Sequence, residues 1–336
     1  MRKYSLLIYG LLLVLFLGIT NTVYATPPST LSYTATMIPA KNQIDEKKSY
    51  FDLLVTPGEE QQVAIKLNNA SDKMIKLKVS PNTAKTTSNG TVDYSGMELE
   101  NTPNLIASFE EITSKEQIVE LAGNSEKVVT FTIKIPKKPF EGIILGGFYI
   151  QEIDEEETVS SKEGIHIANQ FSMIIGCQMR MSEESVKKNF SLEKIYLDNY
   201  GGYFTVVTDI HNNASQLISF YSLLGEIQND QGETIHKFRK DTFSMAPNSI
   251  FSLPERIDNS KLDPGEYVMK IDIHSRGEEQ WKLQKKFTIQ SDAKDKVLEK
   301  SIDRKKTQIN WLLLTIVLII SITVLLILIQ LKKHKN

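Results

Sequence analysis

The chain lacks most of the residues that build disulfides, metal sites and cofactor sites. Cys177 is the only cysteine in 336 residues, so no intramolecular disulfide can form, and no cysteine near the start can carry a lipid. Five histidines are scattered singly, without the clustered neighbours that a zinc site requires. The acidic run that begins at Asp154 is typical of a solvated loop rather than a cation site. We therefore expect no metal and no cofactor.

Catalytic motifs are absent or out of context. The Ser-x-x-Lys pattern of serine acyl-transferases occurs at Ser185, Ser191 and Ser291. That pattern requires a helix, and we expect a linker or a strand at all three positions. The Gly-x-Ser-x-Gly signature does not occur, and a formal net charge of −2 without a basic cluster argues against nucleic-acid binding. We therefore predict no catalytic residues and no nucleic-acid partner.

The longest apolar runs lie at the two ends of the chain. Residues 1–25 combine a basic start, an apolar stretch and small residues at the end, which predicts a secretory signal peptide; the alternative is an uncleaved anchor. Residues 309–331 carry no charge and are long enough to cross a bilayer as one helix. The basic residues 332–336 predict a cytoplasmic tail, and residues 291–308 a juxtamembrane linker. These features predict a single-pass cell-membrane protein with its ectodomain in the cell-wall space.

Between these ends, apolar and polar residues alternate in short segments. In one such segment Val63, Ile65 and Leu67 are separated by Ala64 and Lys66. A period of two is the pattern of a strand with one face in a core and the other in water. Turn residues separate the segments, and no convincing helical period occurs outside the two ends. We therefore predict an all-β ectodomain of two immunoglobulin-like β-sandwich domains in tandem, followed by a single C-terminal transmembrane helix.

One apolar run, residues 140–153, contains three glycines. A phosphate-binding loop would be followed by a helix, and the run is too short to span a membrane. It precedes the acidic segment 154–164 and a second apolar run, 165–179. We predict a long hairpin in which Gly146 and Gly147 allow close approach of the backbone or a bulge.

The predicted hairpin decides where the first domain ends. Its two strands belong together, so we place the boundary at Met181. The first domain then spans residues 31–181 and the second spans residues 182–290, with the interdomain linker at residues 182–190.

Aromatic and polar residues near turns are the candidates for ligand binding. A sugar-binding surface requires aromatic rings beside amide and carboxylate groups, and Asn89, Asp93 and Tyr94 supply these types around an Asn-Gly turn. Tyr50 is a further candidate for peptidoglycan binding. The alternative is a plain hairpin turn in which the tyrosines contribute to the core.

Two aromatic residues of the second domain are candidates for protein binding. Tyr221 and Trp281 are of the types that dominate binding energy at protein interfaces. Packing in the core is the alternative for both residues.

The order of several segments resembles one known family. The segments "SYFDLLVTPGEEQQVAIKLNN", "FEGIILGGFYI", "ANQFSMIIGCQM", "MAPNSIFSLP" and "LDPGEYVMKI" resemble the WxL-interacting proteins of Gram-positive bacteria, over essentially the whole chain. The resemblance implies an N-terminal peptidoglycan-binding domain, a following domain that binds host proteins, and partnership with secreted proteins that bear a Trp-x-Leu wall-binding domain. Family descriptions place the domain boundary near the acidic loop, earlier than Met181.

The leading hypothesis is a non-catalytic, membrane-anchored adaptor at the cell surface. Its first domain would bind peptidoglycan, and its second domain would bind a protein partner, either a WxL protein or a host extracellular protein. One alternative is an extracytoplasmic chaperone for WxL proteins. Another is a wall-modifying enzyme without a recognisable motif.

Overall fold

The computed structural model describes residues 32–98, 104–153 and 171–302. The predicted signal peptide (1–25), acidic loop (154–164), membrane helix (309–331) and cytoplasmic tail (332–336) lie outside these residues. No helix within the described part is long and apolar enough to cross a membrane. The described chain is dominated by strands, which confirms the all-β prediction.

The first half of the chain forms two sheets around one core. The smaller sheet has the strand order β1 (Tyr33–Ile38), β3 (Glu60–Asn69), β8 (Ser125–Lys134). The larger sheet has the order β2 (Phe51–Leu54), β10 (Ser172–Arg180), β9 (Ile144–Glu152), β4 (Ile75–Thr83), β7 (Gln117–Leu121). Only the β2–β10 pair is parallel among the pairs described in these sheets. We call this two-sheet unit the first sandwich.

Alternation of apolar residues builds the core of the first sandwich, as predicted. In β3, Val63, Ile65 and Leu67 are buried while Lys66 is partly exposed. The ring of Phe148 lies at the centre of the core and contacts three other phenylalanine rings at centroid distances of 4.7 to 6.1 Å: Phe51, Phe109 and Phe131. Such aromatic pairs add to the stabilisation that burial of apolar area provides.

The glycine-rich run forms β9 and pairs with β10, which confirms the predicted hairpin. Gly146 faces the core, where a Cβ atom would lie only 2.1 Å from Cγ of Phe109. Phe109 comes from a single helical turn, α1 (Phe109–Ile112). The missing side chain at Gly146 therefore makes the space that this fully buried ring occupies, as the predicted close approach requires.

The second half of the chain also forms two sheets around one core, the second sandwich. One sheet has the order β11 (Phe190–Tyr200), β12 (Tyr203–Asn212), β15 (Ile250–Arg256). The other has the order β14 (Thr234–Met245), β13 (Ile218–Asn229), β16 (Gly265–His274), β17 (Gln280–Ile289). In β16, Tyr267, Met269 and Ile271 are buried and alternate with partly exposed residues, as the sequence pattern predicts. The linker ends one residue earlier than predicted, at Asn189, because Phe190 is buried and begins β11.

The prediction of no helix between the two ends is wrong. Besides α1 and a 3₁₀ turn (Asn259–Lys261), the structure has a helix α2 (Ser291–Lys300) where we expected the juxtamembrane linker. Val297 and Leu298 pack against the core of the second sandwich. The helical period is weak because only this short apolar pair contacts the core.

The Ser-x-x-Lys pattern at Ser291 therefore begins a helix, contrary to the sequence interpretation. Its lysine, Lys294, directs Nζ to the carboxylate of Asp263, at 3.3 Å. The lysine is thus engaged with a surface carboxylate instead of a serine hydroxyl.

A small hairpin of the first half reaches the second sandwich. Strands β5 (Lys85–Thr86) and β6 (Val92–Asp93) form this hairpin, which we call the arm. The Ser244 amide donates to the Gly90 carbonyl oxygen at 2.8 Å, and the Ala246 amide donates to the Thr86 hydroxyl at 3.0 Å. A Cβ atom at Gly90 would lie 2.7 Å from Cβ of Phe243, so only glycine fits at this contact.

A second contact joins the two sandwiches beside the arm. The Ile143 amide donates to the Ser215 carbonyl oxygen at 2.7 Å. Between this bond and the arm lies a small buried apolar cluster of Ala84, Leu145 and Ala246. Two hydrogen-bonded contacts with an apolar centre restrict the angle between the sandwiches far more than a flexible linker would.

The packing at Gly146 predicts a large and local effect of one methyl group. Gly146→Ala should lower the free energy of unfolding by about 1–3 kcal/mol, because the added Cβ overlaps the Phe109 ring. Gly176→Ala, on the paired strand, is the control, since its nearest neighbour would lie 3.6 Å away. Urea unfolding of a 32–302 fragment measures both, and equal losses would contradict this account of β9.

The arm predicts that Gly90 fixes the angle between the sandwiches. Gly90→Ala and Gly232→Ala both place alanine at positive φ, a cost of about 1–2 kcal/mol, but a Cβ at Gly232 meets nothing within 4 Å. Spin labels attached to Lys127→Cys and Lys286→Cys, both at exposed positions, report the distance between the sandwiches. The native Cys177 is buried and should not react with the label. We expect a broadened distance distribution for Gly90→Ala alone. A narrow distribution in both variants would show that the arm does not set the angle.

Candidate functional site

The outer face of the larger sheet of the first sandwich has a row almost without side chains. Gly147 of β9 pairs with Gly176 of β10 on one side and with Asn82 of β4 on the other. The flanking residues of β9, Gly146 and Phe148, point into the core, so Gly147 points outward. Two adjacent glycines therefore form a floor in the middle of the sheet.

Three tyrosines surround this floor. A Cβ atom at Gly147 would lie 2.8 Å from Cδ1 of Tyr94, and one at Gly176 would lie 3.6 Å from Cβ of Tyr50. Tyr149 stands in the next outward row of β9, about 7 Å along the strand. All three are partly exposed. We call the three tyrosines and the two glycines the tyrosine face.

The arm holds Tyr94 over the glycine floor. The Asn82 side-chain amide donates to the Tyr94 carbonyl oxygen at 2.8 Å, so β4 fixes the chain that leaves β6. Burial raises the pKa of the Tyr94 hydroxyl from its ordinary value of 10.0 to about 12, so the group is neutral at physiological pH, as an exposed tyrosine also is. A neutral hydroxyl can both donate and accept a hydrogen bond, which suits recognition of a ligand rich in hydroxyl and amide groups.

A buried carboxylate lies at the edge of the tyrosine face. The side chain of Asp52 in β2 is fully buried and accepts hydrogen bonds from Lys48, Gln178 and Arg180. Burial alone would raise the pKa of Asp52, but the bonds from these three donors outweigh it and hold the pKa below its usual value. The Lys48 ammonium also lies 5.4 Å from the centroid of the Tyr50 ring. Aromatic and charged groups thus meet at one edge.

The structure brings together some of the predicted peptidoglycan-binding residues and separates others. Tyr50 and Tyr94 both lie on the tyrosine face. Asp93 supports the turn after β6, because its carboxylate accepts from the amide and the hydroxyl of Ser95. Asn89 is exposed at the tip of the arm, beside the contact of Gly90 with the second sandwich.

Sequence reasoning missed Tyr149, Gln178 and Arg180. Their outward direction could have been found from the phase of the alternation in the two hairpin strands. Their proximity to Tyr50 depends on the parallel pairing of β2 with β10, which no local pattern encodes.

The predicted protein-binding residues form an aromatic cluster of the second sandwich. Tyr221 is buried and stacks on partly exposed Trp281 at a centroid distance of 5.7 Å, and the Phe190 ring lies 5.1 Å from Trp281. These contacts are core packing, the alternative that the sequence left open. The adjacent Phe220, which we did not predict, is 56% exposed, and the guanidinium of Arg276 lies 4.4 Å from its ring centroid.

The backbone at Phe220 is unusual for a large residue. Its φ of 60° lies in the left-handed region, next to a register shift between β13 and β14. This conformation costs a non-glycine residue about 1–3 kcal/mol, and residues with such strain cluster at functional sites. The bulge presents an exposed aromatic ring beside a cation.

No group of three or more His, Cys, Asp or Glu side chains among the described residues could hold a metal ion. Cys177 is buried in the first core, and burial raises the pKa of its thiol. That thiol is therefore protonated and shielded from reagents.

Comparison with protein families identifies both halves of the chain. Residues 33–152 match the peptidoglycan-binding domain of WxL-interacting proteins, and residues 162–298 match their host-binding domain. The chain belongs to the WxL-interacting protein family. The second match begins before β10, although β10 completes a sheet of the first sandwich in this WxL-interacting protein. No curated protein matches the chain.

Several solved structures are similar to this WxL-interacting protein. The CupB2 chaperone of Pseudomonas aeruginosa is 12% identical, with a TM-score of 0.29 over 69% of this chain and 95% of its own. The class 5 fimbriae chaperone CfaA is 11% identical, with a TM-score of 0.29 over 76% and 100%. The E. coli chaperone DraB is 10% identical, with a TM-score of 0.28 over 77% and 97%.

The contacts of Asp52 predict an acid-sensitive stabilisation of this WxL-interacting protein. Asp52→Asn should lower the free energy of unfolding by on the order of 3 kcal/mol at pH 7, because it leaves Lys48 and Arg180 without their carboxylate. The folded pKa is depressed, so the ionised carboxylate stabilises fully above its ordinary pKa of 3.8 and loses this effect as pH falls through the folded value.

Urea unfolding at several pH values measures this difference. Asp230→Asn, at an exposed turn, is the matched control and should have little effect at any pH. A difference between wild type and Asp52→Asn that stays constant down to pH 3 would contradict the assignment.

Proposed function

We propose that this WxL-interacting protein is a non-catalytic, membrane-anchored adaptor that binds peptidoglycan on the tyrosine face. The observation that carries the proposal is that Tyr50, Tyr94 and Tyr149 all belong to the segment matched by the peptidoglycan-binding domain and meet on one exposed surface. Gly147 lets the Tyr94 ring lie close to the sheet, and the partly exposed Gly176 beside it leaves room for a flat ligand next to the rings.

The chemistry of the tyrosine face suits the glycan strand of peptidoglycan. Binding sites for small ligands combine aromatic surfaces with a few placed polar groups. The rings offer apolar contact to the faces of sugar rings, while Gln178 and Lys48 offer donors for hydroxyl and N-acetyl oxygens. Lys48 and Gln178 are held in place by Asp52, which favours binding because little side-chain entropy remains to be lost.

For the second sandwich, we assign the protein-binding surface to Phe220 and Arg276. Aromatic and arginine side chains dominate the binding energy of protein interfaces, and this pair is presented on a strained bulge. Tyr221, the next residue of β13, stacks on Trp281 in the aromatic cluster of the second core. The partner in this proposal is a WxL protein or a host extracellular protein.

In this proposal the C-terminal part of the chain anchors the protein in the membrane. The uncharged run 309–331 and the basic tail 332–336 would hold the protein in the cell membrane, with its ectodomain in the cell-wall space. The contacts between the sandwiches would then hold both binding surfaces at one angle to each other. Of the alternatives, neither the chaperone nor the enzyme is favoured by a particular contact among the described residues.

A paired retention assay separates the two binding surfaces. Full-length protein in mild detergent is incubated with insoluble peptidoglycan, or with an immobilised protein bearing a Trp-x-Leu domain. Tyr149→Ala should weaken retention on peptidoglycan by about ten-fold, equivalent to 1.4 kcal/mol, and leave protein capture unchanged. Phe220→Ala should do the reverse, so each variant is the control for the other.

The contradicting outcomes are distinct. If wild-type protein does not sediment with peptidoglycan, the wall-binding role is wrong. If Tyr149→Ala and Phe220→Ala weaken both interactions equally, the two functions do not reside on separate surfaces.

A further inference from the structure

A cleft between the two sandwiches lies next to the tyrosine face. It has a volume of about 260 Å³ and is lined by the end of β10, the linker after it, and the β12–β13 turn of the second sandwich. Gln178 and Arg180 of β10 line this cleft. Both side chains stand on the same outward side of β10 as Gly176, which is part of the floor of the tyrosine face. The cleft is therefore continuous with the proposed glycan-binding surface.

The cleft carries positive charge on its β10 side. Asp52 is one carboxylate shared by two cations, Lys48 and Arg180, so this cluster keeps a net positive charge. Asp52 fixes the Arg180 guanidinium, whose side chain remains 22% exposed. A guanidinium held in this way is a rigid donor for a carboxylate or a peptide carbonyl oxygen.

The linker side of the cleft carries negative charge. Glu183 and Glu184 line it directly after the end of β10, and both are exposed. Ser182 accepts from the Glu184 amide at 3.1 Å, which orders this part of the linker. Two carboxylates a few residues from a fixed guanidinium make a surface that complements a ligand with both an ammonium and a carboxyl group.

We propose that this cleft binds the stem peptide of peptidoglycan while the glycan lies on the tyrosine face. Stem peptides contain a diamino acid and carboxyl groups, so they offer an amine to Glu183 and Glu184 and an oxygen acceptor to Arg180. Pockets for drug-sized ligands have volumes of about 300–1,000 Å³, so a cleft of about 260 Å³ has room for a short peptide segment. The inference rests on the proposed peptidoglycan-binding function and adds the part of the polymer that is recognised.

Soluble wall fragments test the inference on the full-length protein in mild detergent. The probes are glycan strands that carry stem peptides and the same strands after an amidase has removed the stems. We expect wild type to bind the stem-bearing strands about ten-fold more tightly, as the loss of one or two charge-assisted hydrogen bonds implies. Isothermal titration calorimetry measures both dissociation constants.

Substitutions in the cleft test whether it causes the preference for stem-bearing strands. Glu183→Gln with Glu184→Gln should lose most of the preference for stem-bearing strands and retain wild-type affinity for bare strands. Glu266→Gln with Glu278→Gln removes the same charge from exposed positions of the second sandwich and should keep the preference. Acetylation of the stem amine should reduce wild-type binding to the level of the double cleft variant.

The outcomes separate this inference from the proposed function. If wild type binds bare and stem-bearing strands equally, the stem-peptide site is wrong while peptidoglycan binding by the tyrosine face stands. If the cleft variant keeps the full preference, the stems are bound elsewhere and the inference is also wrong. If wild type binds neither strand, the proposed function and the inference both fail.

Discussion

Gly146 and Gly147, consecutive residues of β9, determine which aromatic rings pack on each face of the larger sheet. Gly146 faces inward and leaves room for the ring of Phe109, and Gly147 faces outward and leaves room for Tyr94. Side chains at these positions would push the aromatic rings away on both faces, since interiors are close-packed. The first core, the tyrosine face and the position of the arm therefore depend on a backbone that approaches its neighbours without a Cβ atom.

The arm links that local packing to the arrangement of the two sandwiches. The segment that places Tyr94 over Gly147 also carries Gly90 into contact with Phe243 of the second sandwich. A displacement of the arm at Tyr94 should therefore also move Gly90, and the reverse, because a paired hairpin transmits displacement better than a free loop. If peptidoglycan binds at the tyrosine face as proposed, these few residues would couple binding to the orientation of the second sandwich.

Much of the fold follows from the sequence because its signal is local. The alternation in β3 and β16 predicts which side chains are buried, and the glycine-rich run predicts a hairpin with close backbone approach. Helix α2 escapes prediction because only two neighbouring apolar residues hold it to the core.

The candidate site is only partly predictable for a related reason. Tyr50 and Tyr94 are identifiable as aromatic residues near turns, yet their meeting point depends on the pairing of β2 with β10, more than 120 residues away. The segment around Asn89 has the composition of a sugar-binding turn, but in the structure its neighbour Gly90 contacts the second sandwich. Residue types indicate the chemistry, and only long-range pairing decides which side chains share a surface.

The central claim is that peptidoglycan lies on the tyrosine face, and tyrosine-selective NMR tests it most directly. Nine of the chain's 12 tyrosines lie in residues 32–302, so spectra of the tyrosine-labelled 32–302 fragment can be assigned by single substitutions. Titration with soluble peptidoglycan fragments should shift the signals of Tyr50, Tyr94 and Tyr149 and leave those of Tyr196 and Tyr203 in the second sandwich unchanged. Shifts confined to Tyr196 and Tyr203, with the three face tyrosines unaffected, would contradict the account.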